Sequence, residues 1–503
     1  MKKTYDVVII GAGHNGLTAA AMLARSGRSV AVLDRRATAG GMIGGGDASL
    51  AHLIYNLSGS EIGALGLRDR LSKVDTVSLS ATGDHVIVGD GGVTFADGRA
   101  HPETAEYRAL VARLTKFAGL LAPLAEAPPP AFEGGMLSRS GMRELLRLGR
   151  LGLGLKFMGK ADMREFLRIL LSNAYDVLRD ELDDGPLSGA LAADAVRGSF
   201  SGPRSPGSVF SLMYRLGQGG QVYTASNGMD EVAEAYAKRA TDAGAAVILN
   251  LGVQRIVVEN DQVTGVVADD GTQIAARTVL SGAGPLSTAT MAGIANFDAE
   301  TVRRARNHRC KGTTAKVNFR LGGMPTVAGL GANHLRHRLV VAPTPDYVER
   351  SFNPAKYGEI PDHPTLEAVV TGPESAPLLS VNASHVPADL RGGWTKAART
   401  KLSKTVLQTL AAHGVGGLEG AKSVLVASPA DIQTDFGAPG GHWHHGEMGL
   451  DQILTLRPII GMSRYRAGPD GLYLCGASAH PGGDITGAPG RNAAAQVIKD
   501  GVA

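Results

Sequence analysis

The feature that most constrains this chain is the run Gly11-Ala12-Gly13-His14-Asn15-Gly16, because of what stands on either side of it. An apolar segment from Tyr5 to Ile10 precedes it and predicts a strand. Asn15 to Ser26 then has helical character, and Ser29 to Leu33 predicts a second strand that ends at Asp34. Glycines at this spacing between strand and helix, with an acid closing the next strand, make a βαβ unit suited to a dinucleotide. The first glycine permits the tight turn, the second lets the backbone approach a pyrophosphate, and the third lets the helix pack closely on the sheet. The helix N-terminus favours the phosphate charge. Asp34, followed by Arg35, is then placed to bind ribose hydroxyls. The 68 glycines in 503 residues are about twice the usual ~7%, as many tight turns and close backbone contacts require.

Charge and cysteine content exclude several other classes. With 51 basic and 47 acidic residues the net charge is only +4, so no nucleic acid is expected as partner. Cys310 and Cys475 lie too far apart in sequence for a redox pair or a thiol-rich zinc site. Reduced thiols predict a cytoplasmic-type compartment, and no metal centre is expected. Lys2 and Lys3 before the uncharged run Val7 to Ala24 imitate a signal peptide or membrane helix, but the polar glycine turn interrupts the run. No other stretch approaches the ~20 apolar residues of a membrane span.

The pattern along the chain predicts an α/β protein, with a discontinuous Rossmann-like dinucleotide-binding domain and an α+β substrate domain. The expected division places residues 1–100, 216–295 and 431–503 in the first domain. Residues 101–215 form a mostly helical cap, and residues 296–430 form the α+β part. A hairpin is expected around His85 to Phe95, and a helix from Glu103 to Ala125 closed by Pro128, Pro129 and Pro130. Met163, Phe166, Leu167, Leu170, Leu171, Ala174 and Leu178 follow helical spacing along one face. Flavin is favoured over nicotinamide, because Gly40-Gly41 offers bare backbone soon after the acid. Gly471-Leu472-Tyr473-Leu474-Cys475-Gly476-Ala477, before Gly482 and Gly483, offers a second set of backbone donors. A second pair, Gly282-Ala283-Gly284, lacks the third glycine and following acid of a separate NAD(P)H domain.

Together these residues resemble the phytoene-desaturase-like FAD oxidoreductases, especially the subgroup named pyridine nucleotide-disulfide oxidoreductase domain-containing protein 2. The likeness rests on Tyr5 to Leu17, Phe200 to Ser208, Leu456-Arg457-Pro458, and above all Leu472 to Ala477 continuing through His480-Pro481-Gly482-Gly483 to Thr486-Gly487-Ala488-Pro489-Gly490-Arg491-Asn492. It implies FAD as cofactor, with Gly11, Gly13, Gly16, Asp34, Gly40 and Gly41 on the ADP half and Val253 near the adenine. Gly476 through Gly487, including Ala477, Asp484 and Ile485, would hold the pyrophosphate and ring. It also implies redox chemistry on an apolar polyene, terpenoid or acyl chain. This chain departs from the pattern at Met42, where the family often has Arg, and over Ile43 to Ser60. Further departures are Ser478-Ala479 in place of Gly-Thr, and Asp484 in place of a glycine beside the ring.

Gly441-His442-Trp443-His444-His445-Gly446-Glu447 occupies a family loop expected near the flavin. Histidine suits proton transfer near neutral pH, so His442 and His445 are the first candidates for the proton acceptor, with His444 and Asp484 beside them. The alternative is that these histidines only shape the cavity. The leading expectation is an FAD-dependent dehydrogenase or desaturase that delivers electrons to oxygen, a quinone or another carrier. A double-bond isomerase, an amine oxidase and a non-catalytic flavin-bearing lipid-binding protein are the alternatives. The basic series Arg143, Arg147, Arg150, Lys156, Lys160, Arg164 and Arg168 sits among leucines. It fits a cytoplasmic protein with peripheral membrane contact, and equally a solvated helix face.

Overall fold

The computed structural model describes residues 3–130 and 139–501. Five short strands form a parallel sheet in the order Leu472–Leu474, Thr278–Ser281, Val7–Ile10, Val30–Leu33 and Ala246–Ile248, the inner ones apolar and buried on both faces and the last a half-buried edge. Segments distant in sequence therefore assemble one sheet. The helices His14–Arg25, Met229–Asp242 and Ala488–Asp500 pack with it. At Gly16 a Cβ would stand 2.2 Å from the Gly11 carbonyl oxygen, so only glycine allows the first helix to start this close to the turn.

A second sheet has eight strands, ordered Lys422–Ala427, Thr314–Arg320, Leu378–Ser384, Leu366–Thr371, Arg338–Val341, Thr76–Ser78, Val86–Gly89 and Gly92–Phe95. Its residues alternate with the two-residue period of a strand. Val317, Phe319, Leu339, Ala368, Leu379 and Val381 face a core shared with Leu402, Val406 and Leu410 of the helix Lys396–Ala412. Their neighbours Lys316, Asn318, Arg338, Glu367, Ser380 and Asn382 face the other way and are also buried. The expected hairpin is present as Val86–Gly89 and Gly92–Phe95. It belongs to this second sheet rather than to the dinucleotide-binding segment 1–100. The reason is a long-range pairing, in which Thr76–Ser78 runs parallel to Arg338–Val341 and carries the hairpin with it.

The helices Thr104–Glu126, Arg139–Phe157, Lys160–Leu171, Ala174–Glu181, Pro186–Ala195 and Val209–Gly217 form the cap. The expected single apolar face from Met163 to Leu178 is divided between two helices. Phe166, Ala174 and Leu178 are buried, whereas Met163, Leu167 and Leu171 are exposed. The side chains of Arg143, Arg147 and Arg150 lie outside the described residues. Among the described residues no helix is long and apolar enough to cross a membrane.

Candidate functional site

An elongated cavity of about 470 Å³ opens at the carboxyl ends of the parallel strands. Asp34, Arg35, Val253 and Phe436 line one end, the glycine turn lines the middle, and Tyr55, Arg197, Glu367, Trp443 and Asp484 line the other. Of the residues assigned to the site from sequence, only His442 and Gly487 stand outside its wall. Gly487 instead caps the C-terminal helix, where a Cβ would meet Thr18 Oγ1 at 2.7 Å. The turn and the glycine pair lie against each other. Gly40 N donates to Ala12 O at 2.8 Å, and a Cβ on Gly41 would stand 3.2 Å from Gly13 Cα. The Asp34 carboxylate accepts from Ala12 N at 2.7 Å and from Arg36 N at 2.8 Å, one bond to each oxygen. Each oxygen keeps acceptor capacity toward the cavity. Gly282 and Ala283 line this same cavity, at the end of a strand paired with Val7–Ile10.

At the far end Asp484 is held by three side chains. Arg197 Nη1 donates to Oδ1 at 2.6 Å, Asn56 Nδ2 donates to Oδ2 at 2.6 Å, and His444 Nε2 lies 3.3 Å from Oδ1. Burial alone would raise the Asp484 carboxyl, but Arg197 and His444 outweigh it and hold the group well below the usual carboxylate range. It is an ionised carboxylate at neutral pH. Burial lowers His444 more than Asp484 raises it, so this imidazole is neutral there, and its Nδ1 makes no hydrogen bond. The Arg197 guanidinium also lies over the Tyr55 ring, 3.7 Å from its centroid.

The histidine loop splits into two roles. His442 is buried behind the wall, with Nε2 3.2 Å from Gly198 O and Nδ1 accepting from His444 N at 3.1 Å. Both ring nitrogens thus hold backbone, which removes His442 from the groups facing the cavity. His444 and His445 line it. The loop is fastened by Arg457, a fully buried side chain whose chemistry the sequence reading did not assign. Its guanidinium donates to the carbonyls of Glu447 at 3.0 Å, His444 at 3.2 Å and Ala477 at 2.9 Å. It therefore ties the histidine loop to the C-terminal glycine loop. Glu367 was missed as well. Its carboxylate lies 3.1 Å from His52 Nε2 and accepts from Tyr55 Oη at 2.5 Å, Arg338 Nε at 2.9 Å and Asn382 Nδ2 at 3.2 Å. Glu367 lies in no motif, and Arg457 stands in the Leu456-Arg457-Pro458 motif without a role that the motif states; the arrangement of buried charge reveals what both do.

Residues 6–150 match a family model described as FAD dependent oxidoreductase. The chain is 28% identical to pyridine nucleotide-disulfide oxidoreductase domain-containing protein 2 of Rattus norvegicus, over 99% of this chain and 94% of that protein. It is 26% identical to the neurosporene-forming phytoene desaturase of Rhodobacter capsulatus, over 98% and 94% of the two chains. Its fold matches a redesigned putrescine oxidase with a TM-score of 0.59 at 17% identity, covering 99% of both chains.

The chain is an FAD-dependent oxidoreductase.

The cavity of this flavoprotein fits its cofactor. A bare glycine cradle stands at the start of the helix His14–Arg25, Asp34 lies past the next strand, and the buried Asn15 Oδ1 has no partner within the protein. Gly11, Gly13, Gly40 and Gly41 would hold the diphosphate, Asp34 and Val253 the adenosine, and the Gly476–Ile485 segment the remainder. Among the described residues no cluster of histidines, cysteines and carboxylates could hold a metal.

Two predictions follow from this electrostatics. His14, His52 and His445 are buried and drawn down to about 4, chiefly by desolvation. The unfolded chain, with histidines near ~6.5, takes up protons first, so folded-state stability falls as pH drops from about 6.5 to 4, with a slope approaching ~1.4 kcal/mol per pH unit per histidine. Urea midpoints of the flavin-loaded protein at pH 7.5 and 5 test this, and equal midpoints would contradict it. Arg457→Met removes the bonds to four separate carbonyls, those of His444, Gly446, Glu447 and Ala477. It should lower stability by about 2–4 kcal/mol and increase flavin loss on gel filtration. Unchanged flavin retention would show that Arg457 does not fasten the two loops.

Proposed function

We propose that this flavoprotein dehydrogenates a largely apolar polyene, terpenoid or acyl-type substrate and passes the electrons to an external acceptor. The observation that carries this reading is a second, apolar cavity of about 50 Å³, lined by Phe210, Met213, Tyr214, Ile453, Leu454 and Pro481. It reaches the cofactor loop, since a Cβ on Gly483 would stand 3.7 Å from Tyr214. An apolar wall beside the redox site suits a substrate that presents C–H bonds rather than charge. When bound, FAD supplies an acceptor for a hydride from such a bond. The protein must then take the accompanying proton. His444 is the residue best prepared for it, being neutral, oriented by Asp484 through Nε2 and without a hydrogen bond at Nδ1. Asp484, held ionised, stabilises the imidazolium that results. Gly282 and Ala283 contribute to the main cavity wall, which supports oxygen, a quinone or another carrier as the acceptor rather than a second nucleotide.

Under anaerobic conditions the yellow flavin should bleach with a lipid extract of the source cells and not with the aqueous extract. Once the bleaching compound is isolated, His444→Gln should reduce kcat by ~100-fold or more and remove its pH dependence, with flavin content unchanged. Full turnover in this variant would assign the proton elsewhere. A flavin that stays oxidised with every lipid fraction would sink the dehydrogenase reading.

The cap supports peripheral contact with a membrane. Leu146, Leu153, Phe157, Leu167 and Leu171 are exposed, with Phe157 at 80%, and the exposed Lys156, Lys160 and Arg164 accompany them. Co-sedimentation with vesicles containing anionic phospholipid should occur and should fall several-fold in a Leu146→Asp, Phe157→Asp variant. Equal sedimentation of variant and parent would remove this face from consideration.

A further inference from the structure

The face that the eight-stranded sheet turns toward the site is polar, which a hydrocarbon substrate does not explain. Beyond Arg197, Trp443, Glu367 and Asn382, which line both spaces, a side chamber of about 30 Å³ opens. A water needs about 10–15 Å³ measured in this way, so the chamber takes one small functional group or a water or two. Thr365 and Ser384 stand in its wall. The Thr365 hydroxyl is buried and has no hydrogen-bond partner, although its backbone N donates to Ser351 Oγ at 3.0 Å. A buried hydroxyl without a partner destabilises the protein, and an incoming polar group would relieve this.

Charge accounting decides what kind of group. Arg197 is matched by Asp484, and Arg338 donates to both Glu367 and Asp194, the second of which also pairs with Arg215. Three guanidinium groups therefore face three carboxylates, which leaves neither sign in excess. Lys316 touches Asn382 Oδ1 at 3.2 Å, and burial draws its pKa well below the usual lysine range. His52 and His385 are neutral for the same reason. A charged head would bring an uncompensated charge into a balanced interior.

We propose that this side chamber seats an uncharged oxygen function, a hydroxyl or carbonyl, carried by an otherwise apolar substrate. The proposal deepens the dehydrogenase reading and rests on it for the apolar remainder. The Thr365 hydroxyl bonds the oxygen of the head, and Arg197, which uses only Nη1 on Asp484, has further donors facing the shared wall.

The test uses flavin-loaded protein and five C10 terpenoids of one skeleton size: limonene, perillyl alcohol, carvone, perillate and perillylamine. Binding is read from perturbation of the flavin visible band. Perillyl alcohol or carvone should bind at least about ten-fold tighter than limonene and than either charged compound. Thr365→Val keeps the shape and removes the hydroxyl, and should cut that preference by about three- to ten-fold with flavin content unchanged. Ser384→Ala on the same wall serves if the valine variant does not fold. Limonene binding as tightly as the alcohol, a charged compound binding best, a preference untouched by the variants, or no binding of either oxygenated probe would overturn the proposal. If the oxygenated probes show the preference while no lipid fraction bleaches the flavin, the chamber assignment stands and the dehydrogenase reading falls.

Discussion

A carboxylate taken out of water must be surrounded by donors, and Glu367 draws its own from separate parts of the chain. His52 and Tyr55 come from the segment after the glycine pair, and Arg338 and Asn382 come from the two strands that flank its own in the eight-stranded sheet. Arg338 extends the network to Asp194 at the end of the cap helix Pro186–Ala195, and Arg215 of the helix Val209–Gly217 closes on the same carboxylate. One sequence of ion pairs therefore joins the dinucleotide-binding segment, the cap and the second sheet around the cavity mouth. Removing one partner of such a network leaves a buried charge uncompensated, so these parts are held in one relative position.

Two arginines complete the site by different means. Arg457 meets only carbonyl oxygens and acts as a clamp between the histidine loop and Ala477. Burial brings it down to about 10, so it remains a cation at neutral pH without a carboxylate beside it. Arg197 meets a carboxylate and two aromatic faces, and it stands where the main cavity and the side chamber share a wall. The first fixes backbone; the second presents side-chain charge to whatever enters. The site thus has an apolar cavity beside Tyr214 and a charge-balanced polar wall around Arg197 and Glu367.

The nucleotide half of the site was readable from sequence because its chemistry is local. The turn, the helix start, Asp34 and the glycine pair lie within about 30 residues of one another in the chain, and each needs a particular residue type for a backbone reason. The substrate half was not readable in this way. The sequence favoured His442 and His445 over His444, yet the fold turns His442 toward backbone and the other two toward the cavity. The hairpin Val86–Phe95 was equally visible as a local unit. Its membership of the second sheet was not, since that depends on pairing with residues some 250 positions away.

The sequence by itself determined the βαβ unit, the flavin preference and the strand-to-helix glycine loop near the C-terminus, because glycine spacing and hydrophobic period act over a few residues. Only the tertiary structure decided which charges meet. Glu367, Arg338, Asp194 and Arg197 are each an ordinary polar residue in the chain, and Asp484 stood out only by its place in the C-terminal glycine loop, without its partners. Their roles arise because desolvation makes an unpaired charge intolerable, and the fold that buries them must also bring their partners to them.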